Sequence, residues 1–163
     1  HQLIDELHQL GAIVVRNRKN LPGFPRKIQI DAKPMPGKMR VAYLVDIIYP
    51  RDQWMHRMDI CRATGKPWDR NLAHDIRLLD LIMLDITQTL AGTLPVVVHV
   101  TSGLRVSYQF GNGDAQTEIE IDLFALNRRA SGRITPDEAL KEAHVLGDEK
   151  IAQTFLQNCE VLY

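Results

Sequence analysis

Asp75-Ile76-Arg77-Leu78-Leu79-Asp80-Leu81-Ile82-Met83-Leu84-Asp85-Ile86-Thr87-Gln88-Thr89-Leu90-Ala91 reads as one amphipathic helix. Ile76, Leu79, Met83, Ile86 and Leu90 recur at alternating steps of three and four, which places them on a single helical face. Gly92 supplies the C-terminal stop. This helix, about 75–91, is predicted to lie at the centre of the core. Downstream, Pro95 opens a buried strand, Val96 to Val100. In Arg105 to Phe110, Val106, Tyr108 and Phe110 share one face. Gly111-Asn112-Gly113-Asp114 is a turn signal. The next strand alternates Ile119, Ile121 and Leu123 with Glu118, Glu120 and Asp122, so a half-buried hairpin with an acidic outer face is expected.

Thr135-Pro136-Asp137-Glu138 has the form of a capping box with proline at the first helical position. Its helix is predicted to run to about Leu146 and stop at Gly147, and a last helix follows from Asp148 to about Gln157. On the N-terminal side, Leu3, Ile4, Leu7 and Leu10 fall at helical spacing before Gly11, and Ala12 to Val15 reads as a short strand. A Pro- and Gly-punctuated segment then surrounds a strand at Lys27 to Asp31, and Lys38 to Ile48 reads as a longer strand. Pro50 opens a helix that ends at Gly65 and Pro67. Together these elements predict an α+β fold: one domain over residues 1–163, a mostly antiparallel sheet packed on the central helix, and C-terminal helices.

The 163 residues are 45% hydrophobic and carry 20 basic and 20 acidic side chains, a composition that argues against intrinsic disorder. No apolar run reaches the roughly 20 residues of a membrane-spanning helix. Cys61 and Cys159 are too few for a disulfide scaffold, and read either as free thiols or as one bridge. The chain opens on His1 rather than Met, so a processed, trimmed or partial chain is expected, and no compartment follows from its start. Charge is distributed unevenly. Residues 16–40 hold Arg16, Arg18, Lys19, Arg26, Lys27, Lys33, Lys38 and Arg40 against Asp31 alone. Such a segment can hold an anionic polymer or a nucleic acid, with Arg16, Arg18, Lys19, Arg26 and Lys27 as contacts. Alternatively it stays solvated or docks on the acidic C-terminal half.

No phosphate-binding glycine loop, CxxC pair or HExxH motif is present. The metal candidates are His99 and Asp122, which two neighbouring strands could bring together across a sheet face, and His74 beside Asp75 at a helix start. Zinc is the metal this donor set would suit. The ordinary alternatives are a histidine bonded to backbone, a surface aspartate, and an acidic residue complementing the helix dipole. Ser102 and Arg105 form a loop at a strand end, a common place for ligand groups. Arg105 can grip a carboxylate with two hydrogen bonds, or pair with an acid on its own sheet face.

Two family resemblances extend this reading. Gly37-Lys38-Met39-Arg40-Val41-Ala42-Tyr43, Asp75-Ile76-Arg77-Leu78-Leu79-Asp80, Pro95-Val96-Val97-Val98 and Thr101-Ser102-Gly103-Leu104-Arg105 resemble the zinc D-alanyl-D-alanine carboxypeptidase-like family of cell-wall peptidases over residues 37–105. The resemblance implies a small α+β fold, a peptidoglycan-type peptide ligand and a substrate-binding role for Arg105. Of that family's His-and-Asp zinc motif only Asp122 is matched, and its histidine position falls at Ala115, so a degenerate scaffold is implied. Arg105-Val106-Ser107-Tyr108-Gln109 and Gly132-Arg133-Ile134-Thr135-Pro136-Asp137-Glu138-Ala139-Leu140 are similar to the α subunit of bacterial-type RNA polymerase over residues 95–143. That likeness implies a non-catalytic assembly subunit with a protein partner. The sequence therefore leaves two functions open: a peptide-binding or peptide-hydrolysing domain, and an interaction subunit.

Overall fold

The computed structural model describes residues 2–31, 37–90, 92, 94–103 and 105–161. Contacts divide the chain into two compact units, residues 1–54 and 55–163. The fold is α+β, with a two-stranded and a four-stranded sheet.

In the first unit α1 (Gln2–Lys19) is followed by α2 (Gly23–Lys27), β1 (Gln29–Asp31) and β2 (Lys38–Arg40). Two expectations are corrected here. Gly11 does not stop α1, and Ala12 to Val15 continue the helix rather than forming a strand. A helical glycine costs only about 1 kcal/mol relative to alanine, too little to end an 18-residue helix. The strand expected over Lys38 to Ile48 covers three residues only. β1 offers partners for Asp31↔Lys38, Ile30↔Met39 and Gln29↔Arg40, and the ladder ends there. Val41 then turns helical as α3 (Val41–Tyr43), its N–H donating to Ile28 O at 2.9 Å, and a π-helical turn (Leu44–Ile48) leads into α4 (Tyr49–Thr64). Gly65, at φ 67°, leaves α4 in the left-handed region, as its sequence position implied.

The second unit is built on α5 (Leu72–Leu90) and a sheet of β3 (Val96–Thr101), β4 (Arg105–Phe110), β5 (Thr117–Asp122) and β6 (Ala143–Leu146), in the order β4-β3-β5-β6. β3 pairs antiparallel with β4 and parallel with β5, and β5 pairs antiparallel with β6. The expected hairpin between β4 and β5 is thereby corrected, because β3 lies between them. The chain after β4 runs past the start of β3 instead of turning straight back. Gly111 permits that passage: at φ 74°, a Cβ there would run into the carbonyl of Leu94. One sheet face is apolar. Val96, Val98, Val100, Phe110, Ile119 and Ile121 are buried, as are Leu79, Ile82, Met83 and Ile86 of α5. α5 packs against β4 and α8 (Glu149–Asn158) against β3 and β5, with Phe155 of α8 tilted against Phe110 at 5.1 Å between ring centroids.

The capping box forms as read: Glu138 N–H donates to Thr135 Oγ1 and Thr135 N–H to Glu138 Oε2. The helix it starts, α7 (Pro136–Lys141), is shorter than expected. Ala143 to Leu146 leave it to become β6, because β5 still has a free edge and Glu118, Ile119, Glu120 and Ile121 find their partners there. Between β5 and α7 lies α6 (Leu123–Ala130), an element the sequence reading did not anticipate.

Candidate functional site

The face of the sheet opposite α5 and α8 carries two of the residues singled out from sequence, His99 and Arg105. Arg105, Ser107, His99, Thr101, Glu118 and Glu120 alternate there with the buried valines and isoleucines. His99 bridges three strands: Nδ1 lies 2.7 Å from Ser107 Oγ on β4, and Nε2 lies 3.0 Å from Glu118 Oε2 on β5. Both ring nitrogens are therefore engaged. Asp122 ends β5 and caps α6, its Oδ1 accepting from Phe124 N–H at 2.8 Å. His74 sits half-exposed at the start of α5, 3.8 Å from buried Asp75. Among the described residues no three His, Cys, Asp or Glu side chains are placed to hold a metal ion. Zinc needs three or four converging ligands, so the residues present do not fit a zinc ion held by His99, Asp122 and His74.

Ser102 and Arg105 part company. Arg105 is exposed on the polar face and pairs with Glu120 at 3.3 Å. Ser102 turns inward, where its Oγ is buried without a hydrogen-bond partner among the described residues and lines a cavity of about 20 Å³ with Asp75, Leu79 and Leu123. The two side chains do not converge on one ligand. The basic N-terminal segment is only partly assembled. Arg18, Lys19 and Arg26 line a cavity of about 450 Å³ in the first unit, but Asp46 also lines it and is ion-paired to Arg26, and among the described residues Val15 is its one apolar wall. Lys33 lies outside the described residues.

A better-formed cavity lies in the second unit. It measures about 430 Å³ and is lined by Met58, Cys61 and Arg62 of α4, Gly65, Lys66 and Trp68 of the following loop, and Phe124 and Arg128 of α6. That volume is in the range of small-molecule sites. Its wall follows from local structure. Cys61 and Arg62 fall in the last turns of α4, Gly65 ends that helix, and the chain then carries Trp68 across. Phe124 and Arg128 are four residues apart on α6, hence on one face. Trp68 meets Phe124 edge to face, with centroids 5.7 Å apart and planes at 82°. Arg57 stacks over Trp68 with its Cζ 4.3 Å from the ring centroid, and Arg70 lies 5.2 Å from that of Phe124. These stacked guanidiniums hold the rings in place.

The charge of this cavity is one-sided: among the described residues three cations line it and no carboxylate does. Arg128 is ion-paired with Glu142. Arg62 and Lys66 have no ion pair or hydrogen bond among the described residues. An apolar cavity with two uncommitted cations can hold an anion whose remainder is apolar. The sequence reading missed this site because it placed the anion-binding cations in residues 16–40. The signal was Trp68 flanked by Arg57, Arg62, Lys66 and Arg70. No protein-family model matches the chain, and no curated protein matches it.

Proposed function

We propose that the chain is a binding module for a small organic anion with a flat apolar body, taken up between Trp68 and Phe124. The observation that carries this reading is the cavity of about 430 Å³ whose uncommitted polar groups are the cations Arg62 and Lys66. The apolar body lies against Met58, Trp68 and Phe124, where burial contributes about 25 cal/mol per Å² of apolar surface. The anionic group, a carboxylate or phosphate, receives charge-assisted hydrogen bonds from Arg62 and Lys66. Hydrolysis is not part of this proposal. His99 and Asp122 are engaged in strand bridging and helix capping. The peptide ligand implied by the cell-wall resemblance ends in a carboxylate, and on this reading its place is beside Arg62 and Lys66 rather than Arg105.

The test is calorimetric titration with 8-anilinonaphthalene-1-sulfonate, an aromatic anion, followed by competition with aromatic carboxylates, aromatic phosphates and a free dipeptide. Saturable binding is expected, weakened about ten-fold or more in an Arg62→Glu/Lys66→Glu variant, a loss of roughly 1.4 kcal/mol. It should also weaken as salt rises. Binding that is indifferent to both substitutions, in a variant with wild-type circular dichroism, overturns the assignment.

A further inference from the structure

We infer that the ligand taken up between Trp68 and Phe124 is a phosphate monoester of an aromatic ring, bound as its dianion, and that Arg128 selects it over monoanions; this rests on the cavity being the binding site proposed above. The cations around that cavity come from two walls. Arg62 stands in the last turn of α4 and Lys66 just beyond Gly65, which makes one wall. Arg128 stands on α6, one turn after Phe124, and makes the other. The three are not equivalent. Arg62 and Lys66 are exposed, whereas the Arg128 side chain is 15% exposed and ion-paired with Glu142. Among the described residues Glu142 does not line the cavity, and its bond to Arg128 uses Nη2 alone. A guanidinium has five N–H donors in a fixed fork, so the pair leaves donors over for a ligand.

Charge and shape both favour a dianion. With Glu142 set against Arg128, the positive charges of Arg62 and Lys66 are left to be balanced by the ligand. A monoanion balances one of them, a dianion both. Neighbouring carboxylates are committed elsewhere: Asp59 of α4 accepts from Arg133 at 3.0 and 2.7 Å, and Glu138 of α7 accepts from Thr135 N–H. A phosphate monoester carries about −1.5 to −2 charge at neutral pH and three terminal acceptor oxygens. It can accept charge-assisted hydrogen bonds from Arg62 and Lys66 on one wall and from Arg128 on the other, where a carboxylate has two oxygens and one charge to divide. The aromatic body fills the apolar part of the cavity against Met58, Trp68 and Phe124, which inorganic phosphate would leave empty.

The test is calorimetric titration of the full chain with phenyl phosphate and phenyl sulfate at about pH 7.5, where the two esters share ring and terminal oxygens and differ by about one charge. Wild type should bind phenyl phosphate about ten-fold or more tighter than either phenyl sulfate or inorganic phosphate. Arg128→Gln should reduce the preference for phosphate over sulfate to about three-fold or less, with phenyl sulfate binding little changed. Glu142→Gln keeps Arg128 and removes its competitor, so it should tighten phenyl phosphate more than phenyl sulfate, and it decides the matter if Arg128→Gln does not fold. Equal affinity for the two esters in wild type overturns the inference and leaves the anion site standing, as does a preference that both variants leave unmoved. Inorganic phosphate binding as tightly as phenyl phosphate also overturns it, and assigns the cations to a free ion. If neither ester nor 8-anilinonaphthalene-1-sulfonate binds, the site itself is overturned, and this inference with it.

Discussion

Replacing Arg129 by methionine should be the most destabilising single polar change in the second unit. The side chain is 5% exposed and works as a hub between α6 and the C-terminal segment. Its Nε donates to Leu156 O at 2.7 Å, Nη1 to Ile134 O at 3.3 Å, and Nη2 to Gln157 O at 3.4 Å. Both Nη groups also reach Glu160 Oε2, at 3.2 and 3.3 Å. The two kinds of contact differ in value. Glu160 is 61% exposed, so solvent screens the ion pair, and it contributes about 0–1 kcal/mol. The Leu156 carbonyl is buried, and leaving it without a donor costs about 1–3 kcal/mol. The longer bonds to Ile134 and Gln157 add less each. Together these give a loss of about 3–4 kcal/mol for Arg129→Met, against about 1 kcal/mol or less for Glu160→Gln. Urea unfolding followed by far-ultraviolet circular dichroism, with equal slopes for the three proteins, measures both values. Equal losses for the two variants would refute the reasoning, since the carbonyl contacts would then contribute nothing beyond the surface pair.

Three further outcomes follow from the same structure. Burial pushes the Cys159 thiol up to about 12, while Cys61 lines the cavity and is partly accessible, so a thiol reagent should modify Cys61 in the folded chain and Cys159 only on unfolding, with a bound aromatic anion slowing the Cys61 reaction. Burial raises the Tyr108 phenol, and the hydrogen bond it donates to Asp80 Oδ1 at 2.7 Å raises it further. Its contribution to stability is complete below the ordinary phenol value of about 10 and is lost as pH rises beyond that; Tyr108→Phe should cost about 1 kcal/mol at neutral pH and flatten the alkaline loss. The Thr135 backbone and hydroxyl groups hold the Glu138 carboxyl below the usual carboxylate range, so the capping box supports α7 above that range and fails as pH falls through the lowered value. Read from unfolding midpoints between pH 3 and 7, Thr135→Ala should cost about 1 kcal/mol and weaken this acid dependence without abolishing it, because the backbone N–H of residue 135 still donates to Glu138.

The elements with a strong period were legible in the sequence. α5 declared itself by its steps of three and four, β3 by a short valine run after Pro95, and β4 and β5 by alternation of apolar with polar residues. What failed was decided by partners distant in the chain. Ala143-His144-Val145-Leu146 carries helical neighbours and a good cap upstream, yet the open edge of β5 captures it as a strand. Gly147 confirms the change of direction, for at φ 104° a Cβ there would strike the Gln116 carbonyl. β4 and β5 look like a hairpin from the turn between them, but β3 already offers an edge to each. Asp122 illustrates the ambiguity of a single carboxylate: the same position that suggests a metal ligand is also an N-cap, and the two residues that follow it begin a helix. The candidate site was the least legible feature. Its Trp68 wall is local in sequence, but Phe124 and Arg128 arrive from α6, an element the hydrophobic pattern alone did not separate from the strand before it.

The binding proposal is tested most directly through Trp68 itself. Of the two tryptophans, Trp54 is buried at 2% exposure, and a Trp54→Phe variant leaves Trp68 as the sole indole reporter. Its emission should change saturably on titration with an aromatic carboxylate, to one-to-one stoichiometry, and the midpoint should rise about ten-fold or more when Arg62 and Lys66 are both replaced by glutamate. An emission that stays constant throughout the titration, or a saturable change whose midpoint is unmoved by the loss of both cations, would contradict the account.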